Sequence, residues 1–168
     1  MLIAFGGLPG TGKTTVAQAL ARQLGAVYLR IDSLEQAFLA CNEGADIGPA
    51  GYLAAYAVAK ENLLLGASVI ADSVNALEVT RSAWRNVAYE AGVRIFEIEV
   101  ICSDNREHRQ RVDGRQADIP GHILPTWESV LERRYEAWQS DQLVIDTATV
   151  SVEQTVSTVM GCLSISAP

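Results

Sequence analysis

Lysine is almost absent from this sequence, which has 168 residues but carries only Lys13 and Lys60. Acidic residues outnumber basic ones, and the formal net charge is -7. Proteins that bind a polynucleotide rely on many Lys and Arg side chains, which displace counterions from its phosphates. The composition therefore disfavours nucleic acid as a partner.

The sequence also lacks a long apolar run and a functional cysteine pattern. Its most apolar region, 53–71, is interrupted at 60–62 by Lys-Glu-Asn, so it is not expected to span a membrane. The three cysteines, Cys41, Cys102 and Cys162, are far apart and lack metal-ligand spacing. No basic segment precedes the first apolar run, as a secretory signal would require. We expect a cytoplasmic protein with reduced thiols and no membrane contact.

One glycine-rich stretch organises what is present. Residues 7–14, Gly-Leu-Pro-Gly-Thr-Gly-Lys-Thr, match G-x-x-x-x-G-K-[ST] between an apolar run and a helical pattern. In this context, backbone N–H groups and the helix dipole form a cradle for phosphate. Lys13 is placed to reach the β- and γ-phosphates, and Thr14 to ligate a bridging Mg²⁺. The residues expected to bind the nucleotide here are Gly7, Leu8, Pro9, Gly10, Thr11, Gly12, Lys13, Thr14 and Thr15.

Strand and helix patterns alternate along the whole chain. Apolar runs predict strands at 2–6, 27–31, 68–71, 93–101 and 143–145. Helical periodicity predicts helices at 13–24, 33–40, 50–65, 77–91, 106–115, 127–138 and 152–163, with a loop at 42–51 and a frayed end at 164–168. This order indicates a single α/β domain, residues 1–168, with a parallel doubly wound sheet that binds ligands at the carboxyl ends of its strands.

Two aspartates follow predicted strands at that edge of the sheet. Asp72 ends the run Val-Ile-Ala at 69–71 and resembles a Walker B aspartate, which makes it the better magnesium ligand. Asp32 is then left as the base that accepts the proton of a substrate hydroxyl attacking the γ-phosphate. The reverse assignment of the two carboxylates stays open.

Two further absences narrow the nucleotide and the reaction. Ser73 follows Asp72, whereas motor ATPases of this superfamily carry a glutamate there to activate water, so hydrolysis is not the expected purpose. Neither Lys13 nor Lys60 is followed by Asp two residues later, so the guanine signature Lys-x-Asp is missing. ATP is therefore favoured over GTP.

Arginines crowd the segment 106–115. On the helix predicted there, Arg111 and Arg115 share a face, so Arg111 could stack on a base and Arg115 could bond phosphate oxygens. The alternative is a solvated helix face on which Glu107 and Asp113 are surface partners.

Together, residues 7–14, Asp32, 69–75 with Arg81, and 111–115 resemble the small P-loop kinases. These include chloramphenicol phosphotransferase-like, gluconate kinase-like and polynucleotide kinase-like members and are often catalogued as AAA-type ATPases. The resemblance implies the three-layer P-loop NTPase fold, with a five-stranded parallel sheet in the order 2-3-1-4-5, helices on both faces and a small lid near 104–126.

The same resemblance implies Mg-ATP as phosphate donor and an acceptor hydroxyl near Asp32. It also places Thr147 near the adenine, and Asn75 and Arg81 on the acceptor side. The segment 118–127 departs from the characterised kinases, so the acceptor itself is not identified.

The leading hypothesis is an ATP-dependent kinase that phosphorylates a small hydroxylated molecule. Lys13 and Arg115 would stabilise the transferring phosphoryl group, and Asp32 would orient the acceptor. One alternative is a nucleoside, nucleotide or polynucleotide end kinase, in which Arg30, Arg81 and the lid arginines could meet acceptor phosphates. The other is a non-catalytic regulator that binds ATP and needs no acceptor base.

Overall fold

The computed structural model describes residues 1–41 and 46–165, so parts of the predicted 42–51 loop and of the predicted frayed end at 164–168 lie outside the described residues. The strands are β1 (Leu2–Gly6), β2 (Val27–Arg30), β3 (Val69–Asp72), β4 (Ile95–Ile101) and β5 (Leu143–Asp146). The helices are α1 (Lys13–Leu24), α2 (Ile31–Cys41), α3 (Ala50–Leu64), α4 (Glu78–Glu90), α5 (Asn105–Asp113), α6 (Trp127–Leu131) and α7 (Val152–Ile165).

The strands form one parallel sheet in the order β2-β3-β1-β4-β5, which confirms the predicted fold. In the register of the sheet, Asp72 lies beside Phe5 on one side and Arg30 on the other. Because the strands are parallel, the carboxyl ends of β1, β2 and β3 meet at one edge. The phosphate loop, Asp72 and Asp32 therefore share that edge.

Both faces of the sheet are covered by helices, as an all-parallel sheet requires. Side chains alternate across a strand, so Ile3 and Phe5 of β1 pack on one face and Leu2 and Ala4 on the other. The first face packs against α1 and α7, and the second against α3 and α4. All four of these β1 residues have no exposed surface, which explains the unbroken apolar run in the sequence.

The bounds of the helices predicted at 33–40 and 127–138 differ from those in the structure. The predicted helix at 33–40 begins earlier, at Ile31, so Asp32 lies in the first turn of α2 rather than in a loop after β2. The predicted helix at 127–138 begins as expected, because the Thr126 hydroxyl accepts from the Ser129 N–H at 3.3 Å. It ends at Leu131, however, and the chain beyond it packs against the start of α4. Among the described residues, no helix is long and apolar enough to cross a bilayer.

Candidate active site

The phosphate loop has the backbone conformation that its glycines permit. Gly7, Gly10 and Gly12 have φ values of 140°, 84° and 88°, all in the region that favours glycine. A Cβ atom on Gly7 would lie 2.2 Å from the Val100 carbonyl oxygen, and one on Gly10 would lie 2.5 Å from a Val112 methyl. The loop thus fits closely between β4 and α5, and α1 begins directly after it at Lys13.

Lys13 is a buried cation, with 8% of its surface exposed. Burial lowers the pKa of its ammonium group, whereas the nearby carboxylates of Asp72 and Asp32 raise it; Arg115 lowers it further. A buried charge needs compensation from a partner of opposite sign. An anionic phosphate in the loop would provide this partner, and the role of Lys13 in binding it stays a prediction.

Asp72 ends β3 with 2% of its surface exposed and is oriented by a residue that the sequence analysis missed. The Tyr28 hydroxyl donates to its Oδ2 at 2.6 Å, and burial, followed by the charge of Asp72, raises the pKa of Tyr28. Oδ1 accepts no hydrogen bond from the described residues. The Thr14 hydroxyl and this carboxylate are the oxygen ligands that Mg²⁺ prefers, so the residues present fit a magnesium ion.

Asp32 is joined to a buried arginine. Arg30 has 6% of its surface exposed, and its Nε lies 3.4 Å from Asp32 Oδ2. Its two terminal nitrogens donate to the Asp118 carboxylate at 2.5 and 3.1 Å. This two-point bond lowers the pKa of Asp118. Arg30 thus connects the end of β2, the candidate base and the segment that follows α5.

A cavity of about 730 Å³, which we call the first cavity, opens beside the phosphate loop. Its walls include Thr14, Thr15, Arg111, Arg115 and Thr147. Arg111 donates to the Thr147 hydroxyl at 2.7 Å, and that hydroxyl donates to the Thr11 carbonyl at 2.7 Å. The structure therefore links the predicted adenine-side residues directly to the phosphate loop.

The helical relation predicted for Arg111 and Arg115 is wrong. Helix α5 ends at Asp113, and Gly114 and Arg115 form the turn that follows it. Glycine is a poor helix former, which explains the end of α5 at this point. The two arginines do not share a helix face, yet both line the first cavity because the chain turns back toward the loop.

A second cavity, of about 500 Å³, adjoins the first at Lys13 and Arg115, which line both. Asp32 and residues 122–126 lie in its wall. The His122 Nδ1 atom lies 3.4 Å from the amide nitrogen of Gln36, which belongs to α2. A molecule in the second cavity would contact the same two cations as a triphosphate in the first.

The structure does not bring Asn75 and Arg81 to either cavity, contrary to their predicted acceptor-side role. Both residues have no exposed surface. Asn75 has a φ of 48°, and its side-chain oxygen accepts from the Thr80 hydroxyl at 2.8 Å. Asparagine tolerates this left-handed conformation better than most residues, which gives it a structural role in the turn after β3.

Arg81 is an internal structural residue rather than a helix-surface arginine. Its guanidinium donates to the carbonyls of Asn75, Ala76 and Ala137 at 2.9, 3.2 and 3.1 Å. The rings of Tyr135 and Trp138 lie 5.2 and 4.0 Å from its Cζ. Tyr135 and Trp138 fall within the helix predicted at 127–138, but they lie beyond its observed end and contact the buried Arg81 cation instead.

We predict that Arg81→Met destabilises the protein by about 3 kcal/mol, because three buried carbonyls lose their donor. Arg94→Met is the matched control, since Arg94 is exposed and its guanidinium lies over the Phe96 ring, 5.1 Å from the ring centroid. It should change stability by no more than about 0.5 kcal/mol. Urea unfolding of both variants measures the difference, and equal stabilities would contradict the structural role.

We also predict that Asp118→Asn loosens the segment after α5, because Arg30 loses its charged partner. Hydrogen exchange of residues 116–122 should accelerate about tenfold or more, while exchange in β1 and β3 stays unchanged. Asp113→Asn is the control, because the Asp113–Arg109 pair is more than half exposed and contributes little. Unchanged exchange in Asp118→Asn would show that the Arg30 bond does not hold this segment.

Comparison with known proteins identifies the family. A family model described as an AAA domain matches residues 2–138. The chain belongs to the AAA domain family. No functionally curated protein matches the sequence at a significant level.

Solved structures similar to this AAA domain protein cover nearly the whole chain. A candidate kinase from Chloroflexus aurantiacus J-10-fl has 24% identity and a TM-score of 0.77, with 95% of this chain and 96% of that chain covered. Chaetomium thermophilum Kti12, in complex with ADP-AlF3, has 22% identity, a TM-score of 0.72 and coverage of 96% and 98%. APS kinase from Mycobacterium tuberculosis, in complex with AMPPNP and APS, has 19% identity, a TM-score of 0.68 and coverage of 97% and 96%. The resemblance to small P-loop kinases is thereby confirmed at the level of the fold.

His108 is a further residue that sequence reasoning missed. It is buried, and its Nε2 donates to the Pro9 carbonyl at 2.8 Å, while its ring packs edge-on against Trp127. It therefore fixes α5 to the outside of the phosphate loop. One signal is present in the sequence: His108 lies among the charged residues of 106–111 and four residues before the apolar Val112, on the same face of a helix.

Proposed function

We propose that this AAA domain protein is an ATP-dependent kinase that transfers the γ-phosphate of Mg-ATP to a hydroxyl group of a small molecule. The observation that carries the proposal is that Asp32 lines the second cavity while Lys13 and Arg115 line both cavities. A base, two phosphate-stabilising cations and the phosphate loop thus converge on one point. This arrangement suits transfer from a donor in the first cavity to an acceptor in the second.

In the proposed reaction, the acceptor oxygen attacks the γ-phosphorus, the bond between that phosphorus and the β–γ bridging oxygen breaks, and ADP leaves. Asp32 accepts the proton of the acceptor hydroxyl. Lys13 and Arg115 stabilise the negative charge on the transferring group and the leaving oxygen. Thr14 and Asp72 would hold Mg²⁺, which when bound neutralises phosphate charge. The segment 104–126 acts as a lid that keeps water from the site.

ATP is the proposed donor because the sequence lacks the guanine signature. Two similar structures contain adenine nucleotides or analogues, namely ADP-AlF3 in Kti12 and AMPPNP in APS kinase. Calorimetry with ATP and GTP tests the preference. We expect tighter binding of ATP, and a preference for GTP would contradict this choice of donor.

A nucleotide or polynucleotide acceptor has less support. Such an acceptor needs cations for its own phosphate groups, and Arg30, Arg81 and the lid arginines were expected to supply them. Arg30 is bonded to Asp118, and Arg81 to backbone carbonyls in the interior. Of the lid arginines, Arg111 bonds Thr147 and Glu107, and Arg115 is assigned to the transferring phosphate. A regulator that only binds ATP would, in turn, have no use for a carboxylate beside the γ-phosphate.

The experiment that tests the function is a transfer screen with γ-labelled ATP over sugars, nucleosides, antibiotics and oligonucleotides. We expect label in a small hydroxylated compound. Label confined to inorganic phosphate, or nucleotide binding without turnover on any acceptor class, would contradict the proposed kinase activity.

A further inference from the structure

We infer that the acceptor is an amino alcohol, a hydroxylated molecule with an ammonium group, and that Glu35 is the counter-ion of that group. The inference rests on the proposed function, because it concerns the acceptor of the same reaction. It assigns a role to a residue that the proposed mechanism does not use.

Glu35 lies three residues after Asp32 on α2, so the two side chains project from the same side of the helix. Both line the second cavity. The stem of Glu35 packs against Gly51, where a Cβ atom would lie 2.4 Å from the Glu35 Cγ. This close contact with the start of α3 leaves the carboxylate little room to turn away from the cavity.

The Glu35 carboxylate has no hydrogen bond or ion pair with any residue in 1–41 or 46–165. Burial raises its pKa, as does the charge of Asp32, while Arg133 lowers it from beyond salt-bridge distance. A partly buried carboxylate without a partner is unfavourable unless a ligand supplies one. A donor group of positive charge would satisfy it best.

A second polar group, Ser73, lies in the wall of the same cavity beside the Tyr52 phenol. Ser73 has 3% of its surface exposed and lines the second cavity, yet its hydroxyl makes no hydrogen bond of accepted geometry within the described residues. The Tyr52 phenol lies close enough for Ser73 to lower its pKa, although burial, the larger effect, raises it. Ser73 and Tyr52 thus make the wall next to Glu35 polar.

The charges of the cavity disfavour an anionic acceptor. Lys13 and Arg115 face the donor phosphates, which would neutralise them in the complex with ATP. Asp32, Glu35, His122 and Arg133 then remain in the wall. Asp32 lies 3.4 Å from the buried Arg30 guanidinium and Arg133 is exposed, whereas Glu35 has no ion pair among the described residues. The uncompensated charge of the wall is therefore the Glu35 carboxylate, which favours an ammonium group over a carboxylate or phosphate at that point.

Matched pairs of acceptors test the inference with γ-labelled ATP: hexosamines against hexoses, and aminocyclitols against cyclitols, with an aldonate and a nucleoside monophosphate as anionic compounds. We expect kcat/KM to be at least about tenfold higher for an aminated compound than for its neutral partner. Glu35→Gln should lower kcat/KM for the aminated compound by roughly tenfold to hundredfold and leave the neutral partner unchanged. Glu61→Gln, which alters an exposed carboxylate of α3, should change neither value.

Three results would overturn the inference. Equal or faster transfer to the neutral or anionic compounds would do so, while the kinase function would stand. An equal loss for both members of a pair in Glu35→Gln would show a structural role for Glu35. Absence of label from every compound would contradict the proposed function, and the inference with it.

Discussion

Lys13→Ala should abolish turnover, with a fall in kcat of about 10²–10³-fold or more, because the transition state loses a buried cation at the transferring phosphate. Lys13 has 8% of its surface exposed, and its charge is desolvated before any nucleotide binds. The attraction between this ammonium and phosphate is therefore stronger than that of a lysine in water. Steady-state rates and calorimetry with ATP measure the effects on turnover and on binding.

The other lysine of the chain provides a control for this substitution. Lys60 is partly exposed on α3, bonds the Glu90 carboxylate at 2.8 Å and lines neither cavity. Lys60→Ala should leave both ATP affinity and turnover within about twofold of wild type, because exposed ion pairs contribute little. Unchanged activity in Lys13→Ala would refute the interpretation of residues 7–14 as a phosphate site.

Asp32→Asn should lower the rate of phosphoryl transfer by about 10²–10⁴-fold and leave ATP affinity nearly intact. Asparagine keeps the size of the side chain but does not accept the proton of the acceptor hydroxyl. The bond from Arg30 to Asp118 remains in this variant, so the surrounding structure should be preserved. Single-turnover rates and calorimetry with a non-hydrolysable ATP analogue separate the two effects.

Asp141→Asn is the matched control for the candidate base, because Asp141 is exposed in the loop before β5. It should not change the transfer rate. If Asp32→Asn loses ATP affinity and transfer in equal measure, then Asp32 acts on the donor rather than on the acceptor. Asp72 would in that case be the alternative base, as the sequence alone allowed.

The strand order and the edge that holds the site could be predicted from the sequence. The pattern of residues 7–14 is local, since glycines and a following helix are enough to form it. Asp72 and Asp32 could be assigned to this edge because each directly follows an apolar run that predicts a strand. The resemblance to P-loop kinases supplied the strand order, which local patterns do not contain.

The partners of the site residues could not be predicted, because they come from distant parts of the chain. Tyr28 of β2 donates to Asp72 on the neighbouring strand β3, and Asp118, which bonds Arg30, lies 88 residues further along the chain. For Arg81, a role in the site was predicted that the structure does not support. The resemblance placed it on the acceptor side of the site, but the segment that contains Ala137 folds over it and makes it part of the interior.

The measurement that tests the central claim most directly is the distribution of the γ-phosphate label in one reaction mixture. Wild-type protein, labelled ATP and the acceptor panel are compared with the same mixture containing Asp32→Asn. We expect wild type to transfer the label to an organic phosphate ester and Asp32→Asn to lose this transfer, although both proteins bind ATP. Label found only in inorganic phosphate, at equal rates for the two proteins, would contradict it.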